Sequence, residues 1–338
     1  MYDSGLLRRI WQLSPNEILK DSKFPSDPSS KQLRSELLKL VASEKGSLLE
    51  KGKRSAEELK RQHVVFVPRG HSRYPEMFNR LIDPPRWIFL KGSSKALQSS
   101  SIIAVVGTRT ASSLGQKLAN QCAAELAKRN IIVLSGLAKG IDESAHAGAT
   151  DSFGQSIAVL GQGITSPEAA DNLILWNKIL DCDGAIVSEY LPLDPPSRQN
   201  FLRRNELQVA LSQVVIPVEC PSLESGTGAT IRRALAIGTP IVGIFPAIEH
   251  EKTLELTRNT LTKLEIPVFT VRNGNSGEFW DYLKQKMPKH NWTLDPTISQ
   301  DRLFAIIERL VLAASNKVDL DEPSIDRLAQ RLKGKIKE

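Results

Sequence analysis

Residues 102–107 read IIAVVG, residues 131–136 IIVLSG and residues 156–161 SIAVLG. Three further runs of the same kind follow: GAIVSE at 184–189, VVIPVE at 214–219 and PIVGIF at 240–245, with PVFTV at 267–271. Each is a short, nearly continuous apolar stretch rather than an alternation. Strands of that composition are buried on both faces, as in a parallel sheet covered by helices. Between them lie segments with helical spacing, such as GQKLANQCAAELAKRN and GATIRRALAIG. Alternating β and α elements predict an α/β fold, a doubly wound and mostly parallel Rossmann-like sheet.

Working outward, HVVFVP at 63–68 predicts a strand. Pro84 and Pro85 exclude a helix before Trp87 to Leu90, which read as a second strand. Upstream, residues 33–62 carry apolar residues at helical spacing among many charges, preceded by a Ser- and Pro-rich stretch, SKFPSDPSSKQ. Downstream, DRLFAIIERLVLAAS is amphipathic and the chain ends in a basic run from Arg327 to Lys337. The expected organisation is therefore a helical region at 1–62, a Rossmann-like domain at 63–296 and a helical basic tail at 297–338.

Of the 338 residues, 41% are hydrophobic, enough to build a substantial core. The formal net charge of +7 favours partners that carry phosphates or other anionic groups. Cys122, Cys182 and Cys220 are widely spaced, which argues against a disulfide framework or a zinc site and predicts buried free thiols. No signal-like or membrane-spanning apolar run is visible, so a cytoplasmic protein without membrane association is expected.

The strand ends are where this sequence places its polar chemistry. After the first run comes GTRTASSLG: Gly107 permits close approach to a ligand, Arg109 presents a planar charged fork, and Ser112 or Ser113 can cap the next helix. After the second comes SGLAKGIDESAH, where Gly136 and Gly140 allow a tight turn and Lys139 sits within it. Asp142 reads as the cap of the following helix. With His146 four residues on, a structural Asp–His contact is expected rather than an acid–base pair, because no nucleophile accompanies it. Gly161 and Gly163 form a GxG without the third glycine of a dinucleotide fingerprint, and there is no GxxxxGK[ST] motif. Arg198, Arg203, Arg204 and Asn205 gather near one helix start, and SGTGAT, containing Ser225, Gly226 and Thr230, opens another. Several phosphate-friendly turns on one sheet edge indicate a polyanion or a nucleotide. No catalytic residue, metal site or cofactor is assigned.

Taken in order, these segments resemble the DNA-processing protein A (DprA/Smf) family. The motifs are Tyr74-Pro75 with Asp83-Pro84-Pro85 and Gly92; Val106, Gly107, Arg109, Ser112 and Gly115; Ser135 to Asp142 with Ala145 and His146; and Gly154, Ile157 to Gly161 and Gly163. Ser188 to Tyr190, then Phe201, Arg204, Asn205, Leu211 and Ser212, then Val218, Glu219, Ser225, Gly226 and Thr230 complete the pattern. The resemblance covers about residues 70 to 247. It implies an extended Rossmann domain that binds single-stranded DNA, protects incoming DNA in transformation, forms homodimers and helps load a RecA-type recombinase. Arg109 and Lys139 are then the first candidates for phosphate contacts, Arg204 and Asn205 the next, and Arg203 a candidate from charge alone. The chain departs from the pattern at Glu206, where the family usually has Arg, and at its terminal regions, which is compatible with a role in defence against mobile DNA. The alternatives are a nucleotide-binding or nucleotide-hydrolysing enzyme or sensor, with Glu219 and Glu224 near the SGTGAT turn, and a scaffold that docks partners through its terminal helices.

Overall fold

The computed structural model describes residues 31, 35, 56–166, 172–247 and 251–292. The amphipathic segment at 301–315, the basic tail, most of the N-terminal region and part of the loop after Gly163 lie outside the described residues. The chain divides into two compact units, Met1–Val64 and Val65–Glu338. In the first, residues 56–61 are helical.

The second unit is built on a seven-stranded sheet in the order β1-β2-β6-β5-β4-β3-β7. Its strands are β1 (Val65–Pro68), β2 (Trp87–Gly92), β3 (Ile102–Val106), β4 (Ile132–Ser135), β5 (Ser156–Val159), β6 (Ala185–Ser188) and β7 (Val214–Pro217). The five strands from β3 to β7 pair in parallel, with Ile103 opposite Val133 on one side and Val214 on the other. Strands β1 and β2 form an antiparallel addition beyond β6. The fully buried strands β3 to β7 are the apolar runs of the sequence. A second, two-stranded parallel sheet, β8 (Gly243–Pro246) and β9 (Val268–Val271), continues past β7 through a bridge between Val215 and Ile241.

Helices α1 (Ser113–Lys128), α2 (Ile141–Asp151) and α3 (Leu173–Asp181) connect β3 to β4, β5 and β6 in turn. Helix α4 (Arg198–Leu211) carries the chain back across the sheet to β7, and α5 (Gly226–Ile237) follows it. Because such crossovers are right-handed, reversing the direction of travel moves α4 and α5 to the opposite face from α1 to α3. This is the doubly wound arrangement that the alternating runs predict. Helices α6 (Lys252–Lys263) and α7 (Gly277–Lys286) pack around β8 and β9.

Tight contacts account for several motif residues. Gly154 lets Ala127 of α1 approach so closely that a Cβ would collide with it. The buried hydroxyl of Tyr74 donates to the Pro85 carbonyl, joining the Tyr-Pro and Asp-Pro-Pro segments. The three cysteines are buried thiols outside any disulfide, and burial pushes the Cys122 thiol up to about 12. No helix among the described residues is long and apolar enough to cross a membrane.

Candidate functional site

Strands β3 and β7 lie side by side, but the chain leaves β3 in one direction and approaches β7 from the other. Loops at their carboxyl ends therefore diverge and open a crevice, the usual ligand position in such sheets. The crevice has a volume of about 560 Å³. Its walls are the end of β3 from Val106 to Arg109, Ala138 and Asp142 beside it, one face of α4, and the start of α5.

Arg109 is exposed, and its guanidinium carbon lies 4.2 Å from the ring centroid of Phe201 on α4. That distance is a cation–π stack. Phe201 reaches this position because Gly161 leaves room for its ring, where a Cβ would crowd it. Gly163 in turn admits the backbone of Leu191 and Pro192. The GxG after β5 thus serves loop and helix packing.

Gly107 packs against the side chain of Ile141, the first residue of α2. Gly140 has φ of +86°, and a Cβ there would meet the carbonyl oxygens of Thr108 and Arg109. A left-handed glycine is needed here. It brings the turn carrying Lys139 against the turn carrying Arg109. Lys139 itself is exposed beside Ala138, at the crevice edge rather than in its wall.

Ser112 does cap α1, accepting from the Gly115 N–H at 2.9 Å. The expected opening for an external anion is filled by the protein itself. The fully buried Glu219 carboxylate accepts from the Ser112 N–H at 3.1 Å and from its hydroxyl. A carboxylate at the positive end of α1 is favourably placed, and it ties the β3 loop to the β7 loop. Ser225 caps α5 by accepting from the Gly228 N–H at 3.1 Å, and donates to the Ser222 carbonyl. Thr230 donates to the Gly226 carbonyl at 3.2 Å, and Asn205 reaches the same carbonyl from α4 at 3.1 Å. A Cβ on Gly226 would meet nothing within 4 Å, so sterics do not require that glycine.

Arg204 is buried at the base of the crevice. It donates to the Val159 carbonyl at 3.1 Å and faces the Asp142 carboxylate at 3.7 Å. Burial raises the pKa of Asp142 and lowers that of Arg204, and each group opposes the effect on the other. A Cβ on Gly136 would overlap the guanidinium and crowd the Asp142 carboxylate, so a larger residue there would displace this pair. Two buried donors on α4, Nε of Arg204 and Nε2 of Gln208, meet no acceptor.

Two expectations need correction. Asp142 does not cap α2; Gly140 occupies the N-cap, and the Asp142 carboxylate accepts from the Gly136 N–H at 3.1 Å. Nor do Asp142 and His146 join in the expected contact. His146 Nε2 accepts from the Leu137 N–H at 3.2 Å, and Nδ1 bonds Ser156 Oγ at 2.7 Å, which donates to the Val133 carbonyl. His146 thereby holds Leu137, at φ 57°, in the left-handed turn that leads to Lys139. Both side chains thus stabilise the turn, through the adjacent N–H groups of Gly136 and Leu137.

Arg203 sits apart from the crevice walls. It donates to Glu189 at 2.9 Å, to Glu206 at 3.0 Å and to the Asp83 carbonyl at 2.7 Å. Charge in the sequence alone could not separate Arg203 from Arg204, because they are adjacent. Arg198, which the sequence groups with Arg203 and Arg204, lines the crevice, as do Phe201 and Gln208, to which the sequence assigns no site role. Their spacing of three and seven residues places them with Asn205 on one helical face, which was the available signal.

The model of the family described as DNA recombination-mediator protein A matches residues 65–263. Protein Smf of Escherichia coli K12 is 38% identical over 180 residues, covering 53% of this chain and 47% of its own. The DNA processing protein DprA of Bacillus subtilis is 29% identical over 183 residues, 54% of this chain and 61% of that one. The chain thus spans about half the length of the curated relatives it matches. Among solved structures, DprA from Helicobacter pylori, studied for its single-stranded DNA binding mode, superposes with a TM-score of 0.55 at 25% identity. It covers 66% of this chain and 97% of that one. The X-ray structure of Streptococcus pneumoniae DprA gives a TM-score of 0.62 at 24% identity over 80% of this chain and 90% of its own. With more than half of its length matched and with this strand order and crevice, the chain belongs to the DNA recombination-mediator protein A family.

Proposed function

We propose that this protein binds single-stranded DNA across the crevice between β3 and β7, in DNA processing linked to transformation or recombination. The observation that carries the reading is the stack of Arg109 on Phe201 at the crevice mouth. The ring holds the guanidinium at the mouth, where it can meet the backbone of a strand, and a positively charged groove that tracks the backbone is what single-strand binding uses. Arg198, which lines the crevice, and Lys139, in the turn beside it, are exposed cations that add to this charge. The Helicobacter pylori relative, whose single-stranded DNA binding was the subject of its structure, supports the same reading. The protein acts as a binding partner of the strand rather than as a hydrolase, in the cytoplasm, as a homodimer that passes the strand to a RecA-type recombinase. Residues 1–62 and 297–338 flank the binding domain at 63–296 as accessory segments. The nucleotide-hydrolase alternative is disfavoured because Glu219, a carboxylate it would use, is buried with both oxygens accepting from Ser112.

The test is fluorescence anisotropy of a labelled single-stranded oligonucleotide, competed by matching duplex and by mononucleotides at two salt concentrations. Salt-sensitive binding that prefers the single strand is expected, because phosphate contacts release counterions. Equal affinity for duplex, or no binding at low salt, would overturn the proposal.

A further inference from the structure

We propose that a second cavity, at the amino end of the sheet, binds a free nucleotide through its phosphate chain. This site is separate from the crevice and does not depend on the strand reading.

Its position follows from chain order. Ser100 comes just before β3 and Gln213 just before β7, and both line a cavity of about 920 Å³. The Gln213 Oε1 accepts from the Ile102 N–H at 2.6 Å and so joins the two strand starts. The crevice lies at the other ends of the same strands. Strand β3 separates the two sites by roughly 16 Å, at the usual rise per strand residue. The remaining walls are the turn after β1, the 3₁₀ turn Glu76–Arg80 and the end of α7.

Charge identifies the class of ligand. Arg69 comes from the turn after β1, Lys286 from the end of α7 and Lys289 from just beyond it. All three are exposed, and none forms an ion pair with a described residue. Arg69 donates to the Asn79 Oδ1 at 3.3 Å, and the Lys286 ammonium lies 5.4 Å from the Tyr282 ring centroid. Neither contact cancels a charge. Uncompensated cations gathered on one concave surface raise the local concentration of anions. A guanidinium and two ammonium groups suit a chain of phosphates.

A carboxylate in the same cavity narrows the choice. Glu76 is exposed there. It repels a bare polyanion, yet it can accept from the exocyclic amine of a base. Asn79, one turn further on, takes the Arg69 N–H on its oxygen and keeps its amide donors. Met77, beside Glu76 and half-buried, offers a polarizable surface for an aromatic ring. Phosphates and an amine-bearing ring are the two ends of a nucleotide. A strand would have to carry its backbone past Glu76, whereas a free nucleotide turns its phosphates to the lysines and its base to the carboxylate. The cavity volume is in the range of small-molecule sites.

The experiment is calorimetric titration of ATP and of tripolyphosphate into the full chain, into Arg109→Glu and into the double variant Lys286→Glu, Lys289→Glu. Thermal melting confirms that the variants fold. The pair Lys286→Ala, Lys289→Ala serves if the charge reversal melts early. ATP is expected to bind the parent chain, and to bind the lysine variant at least about tenfold more weakly through the loss of charge-assisted contacts. Affinity for Arg109→Glu should stay within about twofold, because that residue lies at the other end of β3. Tripolyphosphate should bind about tenfold more weakly than ATP, since it lacks the base that Glu76 accepts from. No ATP binding, or equal affinity in the lysine variant, overturns the site. Loss of ATP binding in Arg109→Glu also overturns it, by moving the nucleotide to the crevice. Tripolyphosphate binding as tightly as ATP overturns the nucleotide assignment. Displacement of ATP from Arg109→Glu by a single-stranded oligonucleotide overturns it too, by making the cavity a second strand site.

Discussion

The guanidinium of Arg109, from the loop after β3, lies 4.2 Å over the ring of Phe201, the fourth residue of α4. These residues are 92 positions apart, and the contact joins the two halves of the doubly wound sheet at its switch point. It also gives the mouth of the crevice its chemistry, a fixed cation against an aromatic face.

Replacing Arg109 by Glu is therefore expected to weaken single-strand binding by at least about tenfold. The slope of log affinity against log salt should shrink by roughly one unit for the lost phosphate contact. Anisotropy titrations at several salt concentrations check both. Replacing Phe201 by Leu keeps an apolar wall and removes the ring on which Arg109 stacks. A loss of about 0.5–1 kcal/mol in binding is expected, because the guanidinium is no longer held at the mouth. Unchanged binding would show that the stack does not position Arg109.

Arg203→Ala should behave oppositely. Its donors are spent on Glu189, Glu206 and the Asp83 carbonyl. Strand affinity is expected to stay within about twofold, while stability falls by about 1–3 kcal/mol because Glu189, 13% exposed, loses its partner. Urea unfolding paired with anisotropy separates the two effects; a large binding loss in a stably folded variant would contradict this.

Glu219→Gln replaces a carboxylate that accepts twice from Ser112 with an amide offering one acceptor oxygen and a misplaced donor. Thermal unfolding should show a loss of about 1–3 kcal/mol. Turnover of a nucleoside monophosphate by the parent protein, abolished in this variant, would instead favour the hydrolase alternative.

Burial lowers the His146 pKa from its ordinary 6.5 to about 3. In the folded state the ring stays neutral through that range, whereas the unfolded chain protonates near 6.5. The stabilisation is fully present above pH 6.5 and is lost progressively as pH falls from there towards 3. The slope is up to about 1.4 kcal/mol per pH unit from this group. His146→Gln should flatten the dependence between pH 6.5 and 4.5 in denaturant titrations followed by tryptophan fluorescence. An equal slope in both proteins would remove His146 as the cause.

Local sequence determined the element order, because a doubly buried strand such as Ile102–Val106 must be apolar at every position while helices alternate at a different period. It also determined the turns, since Gly140 with φ of +86° must be glycine whatever surrounds it. The fate of each polar side chain was decided only in three dimensions. Adjacent Arg203 and Arg204 look alike along the chain, yet α4 directs one to Glu189 and buries the other beside Asp142. Ser112 reads as a phosphate-ready cap until Glu219, 107 residues later, arrives across the switch point to occupy it. Helical spacing marks Gln208 as sharing a face with Phe201, but only the packed structure leaves its Nε2 buried without an acceptor. Periodicity is set by neighbours a few residues away. Hydrogen-bond satisfaction and charge compensation depend on groups that only the packed sheet brings together.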